Sequence, residues 1–76
     1  MWAKAKPANQ RTHPLVRYLF NEAIERRILD KTLSSMTGFS QSTLRTWRYG
    51  KAQPNVASVE ALANALGYDL KLVRRP

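Results

Sequence analysis

Leu33-Ser34-Ser35-Met36-Thr37-Gly38-Phe39-Ser40-Gln41-Ser42-Thr43-Leu44-Arg45-Thr46-Trp47 holds two short amphipathic segments with a glycine between them. Leu33 and Met36 are three residues apart in the first segment, and Leu44 and Trp47 three apart in the second. That spacing puts each pair on one face of a helix. Gly38 can take a positive φ that a residue with a Cβ adopts only at a cost, so it ends the first helix and lets the chain turn steeply. Ser40 is placed to cap the second helix by accepting from the backbone N–H of Ser42 or Thr43. The sequence predicts a helix over residues 40–49, stopped by Gly50. Leu33, Phe39, Leu44 and Trp47 form the small core that fixes the angle between the two helices.

Upstream, Asp30 is read as the N-cap of the first of these helices. Before it, Leu15, Val16, Leu19, Phe20, Ala23, Ile24 and Ile28 recur at three and four and predict an amphipathic helix over residues 15–29, opened by His13-Pro14. Downstream, Pro54-Asn55 opens a further helix with Asn55 as cap and Val56, Val59, Leu62, Ala63 and Leu66 as its apolar stripe, closed by Gly67. Residues 68–73 then alternate apolar and charged side chains, the period-2 pattern of a half-buried strand, before Arg74 and Arg75. Residues 1–12, with Lys4, Lys6, Arg11 and Pro7 and no apolar periodicity, read as a flexible basic arm. Three units result: the arm at 1–12, a helical domain at 13–67, and a strand with a basic tail at 68–76.

Composition limits what such a chain can do. A domain of 76 residues buries a modest core, and self-association is the remaining way to bury more. With no cysteine and one histidine, disulfides, thiolate metal sites and zinc centres are excluded, and no cofactor is expected. His13 and five dispersed carboxylates supply no nucleophile–base pair, which argues against an enzyme. Thirteen Lys and Arg against five Asp and Glu give a net charge of +8, so the expected partners are polyanions. The absence of a long apolar run argues against a membrane partner, and the reading is a cytoplasmic, nucleoid-associated protein.

Two short helices joined by a glycine-containing turn form the helix-turn-helix layout, whose second helix fits the major groove of DNA. Taken in order, Leu33, Ser34, Gly38, Phe39, Ser40, Gln41, Leu44 and Trp47, then Gly50-Lys51 and residues 55–67, make the chain resemble the phage-repressor and Cro-type, lambda-repressor-like helix-turn-helix family. The resemblance spans about residues 28–67 and rests on eight buried or turn positions at fixed spacing. It implies a mainly α, four-helix domain, and the short C-terminal strand read from the alternation at 68–73, more like Cro than the repressors' fifth helix, is expected to pair across a homodimer through Tyr68, Leu70 and Leu72. It also implies a sequence-specific double-stranded DNA-binding regulator, a repressor of transcription on a near-palindromic operator.

Carried over residue by residue, the family pattern makes Gln41, Ser42, Arg45 and Thr46 the base-reading set. Gln can pair bidentately with adenine and Arg with guanine, the commonest specific contact. Ser40, Tyr49, Lys51, Gln53 and Asn55 match positions that meet the DNA backbone, and Arg48 is a further phosphate candidate whose alternative is a generic solvated charge. The chain departs from the pattern at Asp30, where many members carry a phosphate-binding glutamine. An aspartate there repels phosphate, which leaves Asp30 to capping and the contact to Lys31 or Thr32. Two competing functions use the same fold: an antitoxin-type protein that represses its own promoter while holding a protein partner, and an adaptor that binds protein alone.

Overall fold

The computed structural model describes residues 11–76. Ten residues of the predicted basic arm, 1–10, lie outside the described residues. Four helices follow in order: α1 (Pro14–Glu25), α2 (Asp30–Thr37), α3 (Gln41–Arg48) and α4 (Val56–Ala65). Both α2 and α1 pack on α3 and on α4. One core joins them, built from Val16, Leu19, Phe20 and Ala23 of α1, Leu33 of α2, Leu44 and Trp47 of α3, and Val59, Leu62 and Ala63 of α4 with Leu66 after it. Phe39, in the turn, sets its ring edge-to-face on Trp47 at 4.9 Å between centroids. This contact and the buried Leu33 and Leu44 hold α2 against α3.

Local chemistry explains the helix ends. His13 accepts from the Leu15 N–H at 3.1 Å ahead of Pro14, Ser40 accepts from Thr43 at 3.0 Å, and Asn55 accepts from Ser58 at 2.8 Å. Gly38 ends α2 at φ +87°, in the left-handed region a glycine adopts without strain. Asp30 does not cap α2: the cap position is Leu29, without a side-chain bond, and Asp30 is the first helical residue. Its charge still favours that end of the helix dipole.

α1 stops four residues earlier than its apolar spacing predicts, at Glu25. Arg27 takes φ +58°, Ile28 N–H reaches back to the Ala23 carbonyl at 2.9 Å, and Arg27 N–H to Ile24 at 2.9 Å. The turn is the one glycine usually makes, here on an arginine, and Ile28 packing on the core secures it.

The C-terminal strand is not found: among the described residues there is no strand at all, and residues 68–76 run without regular structure. The physical reason is that the segment folds onto its own domain. Tyr68 hydrogen-bonds Tyr18 at 2.9 Å and donates to Glu22 at 3.2 Å, and Leu70 packs on the core. Arg26, ion-paired to Glu22 at 2.7 Å, donates to the Leu66 carbonyl at the end of α4. Of the three predicted dimer residues, Leu72 alone stands clear, with Val73 beside it. The alternation in the sequence thus records one side chain anchored on the core and the next in water, which needs no strand partner.

Candidate nucleic-acid interface

α3 carries two faces. Leu44, Trp47 and Arg48 point inward, whereas Gln41, Ser42 and Arg45 are exposed and Thr46 half-buried. The four predicted base-reading residues therefore lie together on the outer side. Ser42, Arg45 and Thr46 line a shallow concavity of about 200 Å³ with Tyr49 and Lys51, so three of the four share a depression with two of the predicted phosphate contacts. Arg45 keeps 54% of its side chain exposed. Its guanidinium is steered from two sides: Gln41 Oε1 lies 3.5 Å away one turn earlier, and Asp30 Oδ2 lies 3.9 Å away on α2. Thr46 donates its hydroxyl to the Ser42 carbonyl at 3.0 Å.

The structure divides the predicted phosphate set. Lys31 and Thr32 are exposed in the first turn of α2, and Tyr49 and Lys51 flank the turn after α3. Ser40 is occupied: it accepts from Thr43 N–H and donates to the Thr43 hydroxyl at 2.9 Å. Asn55 gives its carbonyl oxygen to the α4 cap and keeps its amide N–H groups. Gln53 turns its amide to the chain ahead of α1, donating to the Arg11 carbonyl at 3.3 Å and accepting from His13 N–H at 3.4 Å.

Arg48 is a correction. Only 3% of its side chain is exposed, and its two terminal nitrogens donate to Asp30 at 2.6 and 3.2 Å. The guanidinium also stands over the Phe20 ring at 5.1 Å. A group so enclosed offers nothing to a phosphate; it ties the end of α3 to the start of α2. Among the described residues its Nε has no hydrogen-bond partner. The signal was available in the sequence, because Arg48 is four residues after Leu44 and so falls on the same helical face as that buried leucine. Asp30, which the sequence reading left to capping, is its partner.

Comparison with protein families now bears on this geometry. A family model described as helix-turn-helix matches residues 22–73, which takes in both crossing helices, the turn and α4. The chain belongs to the Cro- and phage-repressor-type helix-turn-helix family. Comparison with curated proteins and with solved structures gave no match. Membership of this family supports DNA binding in transcription regulation. Among the described residues no helix is long and apolar enough to cross a membrane.

Proposed function

We propose that this helix-turn-helix protein is a sequence-specific repressor that binds a near-palindromic operator as a homodimer, with Gln41, Ser42, Arg45 and Thr46 reading bases. The observation that carries it is the outer face of α3: an exposed, pre-steered Arg45 beside a polar concavity rimmed by Lys51, on a chain of net charge +8. Lys51, Tyr49, Lys31 and Thr32 hold phosphates, with the Asn55 amide as a further donor. These contacts give salt-dependent affinity without selectivity, and the arginine gives selectivity.

A single recognition helix reads half a site, and a two-fold pair reads two major grooves about 34 Å apart. Support for a pair comes from an apolar groove of about 540 Å³ lined by Leu15, Pro54, Val56, Val59 and Leu70. Leu72 and Val73, exposed just beyond Leu70, are side chains of the kind such a groove takes up. A two-fold pair seats these side chains of one copy in the groove of the other. Selection of bound sequences from a random duplex pool tests the proposal. A consensus of two inverted half-sites supports it, an unpaired half-site removes the dimer, and recovery of unselected sequence removes specific reading altogether.

A further inference from the structure

We infer that Thr12 is a positioning residue for the DNA-reading helix, an inference that rests on α3 being that helix. Thr12 lies outside α3 and 35 residues before Trp47, yet it is 1% exposed and its hydroxyl lies 3.0 Å from both the Trp47 and the Arg48 carbonyl oxygens.

The last carbonyls of any helix lack partners within it. At the end of α3 the chain meets most of them itself: Tyr49 N–H bonds Arg45 at 3.0 Å, Lys51 N–H bonds Thr46 at 3.0 Å, and Gly50 N–H reaches Trp47 at 3.2 Å. This is the glycine-based closing turn, with Gly50 at φ +73°. It leaves the Arg48 carbonyl, and among the described residues Thr12 supplies the donor for it.

Two further contacts fix Thr12 in place. Gln53 brackets it by bonding the backbone of Arg11 and of His13. Gly50 lets that backbone come close, since a Cβ there would lie 2.8 Å from the Arg11 Cβ. His13 then caps α1. The start of α1 is thereby keyed to the end of α3.

The consequence is local to the interface. Arg45 and Thr46 precede the Gly50 turn and Lys51 follows it, with Tyr49 between, so the turn sets the distance between base reader and phosphate anchor. The Thr12 hydroxyl holds that turn from behind without touching DNA. A base-reading arginine needs its register with the phosphate contacts held, whereas non-specific phosphate binding tolerates slack.

The test compares Thr12→Val, which keeps shape and removes the hydroxyl, with Thr12→Ser, which keeps the hydroxyl. Each full chain is measured against the selected duplex and a random duplex, and by hydrogen exchange of the Gly50 and Lys51 amides without DNA. Thr12→Val is expected to lose on the order of tenfold in affinity for the selected duplex, to change by less than about twofold on random duplex, and to exchange faster at those amides. Thr12→Ser is expected to restore both readouts.

Equal weakening on both duplexes, or no difference between the Val and Ser variants, overturns the inference. So does global unfolding of Thr12→Val, because the contact would then stabilise the whole domain and not the turn. If the native chain selects no duplex, the DNA-reading proposal fails instead. The exchange data then still report whether Thr12 holds the turn.

Discussion

Arg45 and Arg48 occupy the same helix, three residues apart, and both stand near Asp30, yet they do opposite things. Arg48 is enclosed, with a bidentate grip on the carboxylate at 2.6 and 3.2 Å and the Phe20 ring beneath it. Arg45 stands in solvent and feels the same carboxylate at 3.9 Å, close enough to be steered and too far to be held. The difference follows from helix geometry: position 48 shares the face of Leu44, and position 45 lies on the side of Gln41 and Ser42. One acid on α2 thus anchors the inner face of α3 and steers Arg45 on its outer face. Identical residue types supply stability in one case and a free hydrogen-bonding fork in the other.

The largest expected effect comes from removing the shared acid. Asp30→Ala leaves Arg48 buried without its partner, and breaking such a pair costs about 3–5 kcal/mol. The lower end applies because Asp30 retains 19% side-chain exposure. Denaturant unfolding should show a large fall in midpoint, and Asp30→Ala combined with Arg48→Met should recover much of it, since no charge is then left buried. A small effect in the single variant would mean that the two faces of α3 are not distinguished as described.

Arg45→Ala should leave the unfolding midpoint within about 0.5 kcal/mol of the parent while discrimination at one base pair falls by about 1–3 kcal/mol. Lys51→Ala should weaken every duplex about equally and reduce the slope of log affinity against log salt by roughly one. Salt titration of binding separates these two. A salt-slope change in Arg45→Ala with selectivity intact would merge the roles that the comparison keeps apart.

Much of this was legible in the sequence because local rules were obeyed. Glycine at 38, 50 and 67, serine at 40 and asparagine at 55 sit where turn and cap chemistry wants them, and all three glycines take positive φ. Where the sequence misled, tertiary packing had overridden a local signal. The end of α1 carries no glycine, so the left-handed turn at Arg27 is invisible until Ile28 is seen packed on the core. Arg27→Gly should therefore stabilise the domain by up to about 1 kcal/mol, read as a higher thermal midpoint.

The tail alternates like a strand, yet Tyr68 and Leu70 are satisfied by their own domain. Hydrogen bonding to Tyr18, with burial and the nearby Glu22 carboxylate, pushes the Tyr68 phenol up to about 12 from an ordinary 10. Because the folded form holds this proton more tightly, its contribution is present below pH 10 and is lost as the pH rises toward 12. Ultraviolet titration of the tyrosines in native chain and in Tyr18→Phe should show the late-titrating phenol moving down in the variant. This is the smallest of the expected effects and concerns the anchoring of the tail on α1.

The most direct trial of the account is to measure binding of the native chain and of Arg45→Ala to the selected duplex and to each of its single-base-pair variants, at one salt concentration. The account predicts that Arg45→Ala becomes indifferent at one base pair of each half-site, a guanine in the parent preference, while discrimination elsewhere is retained. Unchanged preference at every position, with the Arg45→Ala chain folded, would contradict the assignment of sequence reading to the outer face of α3.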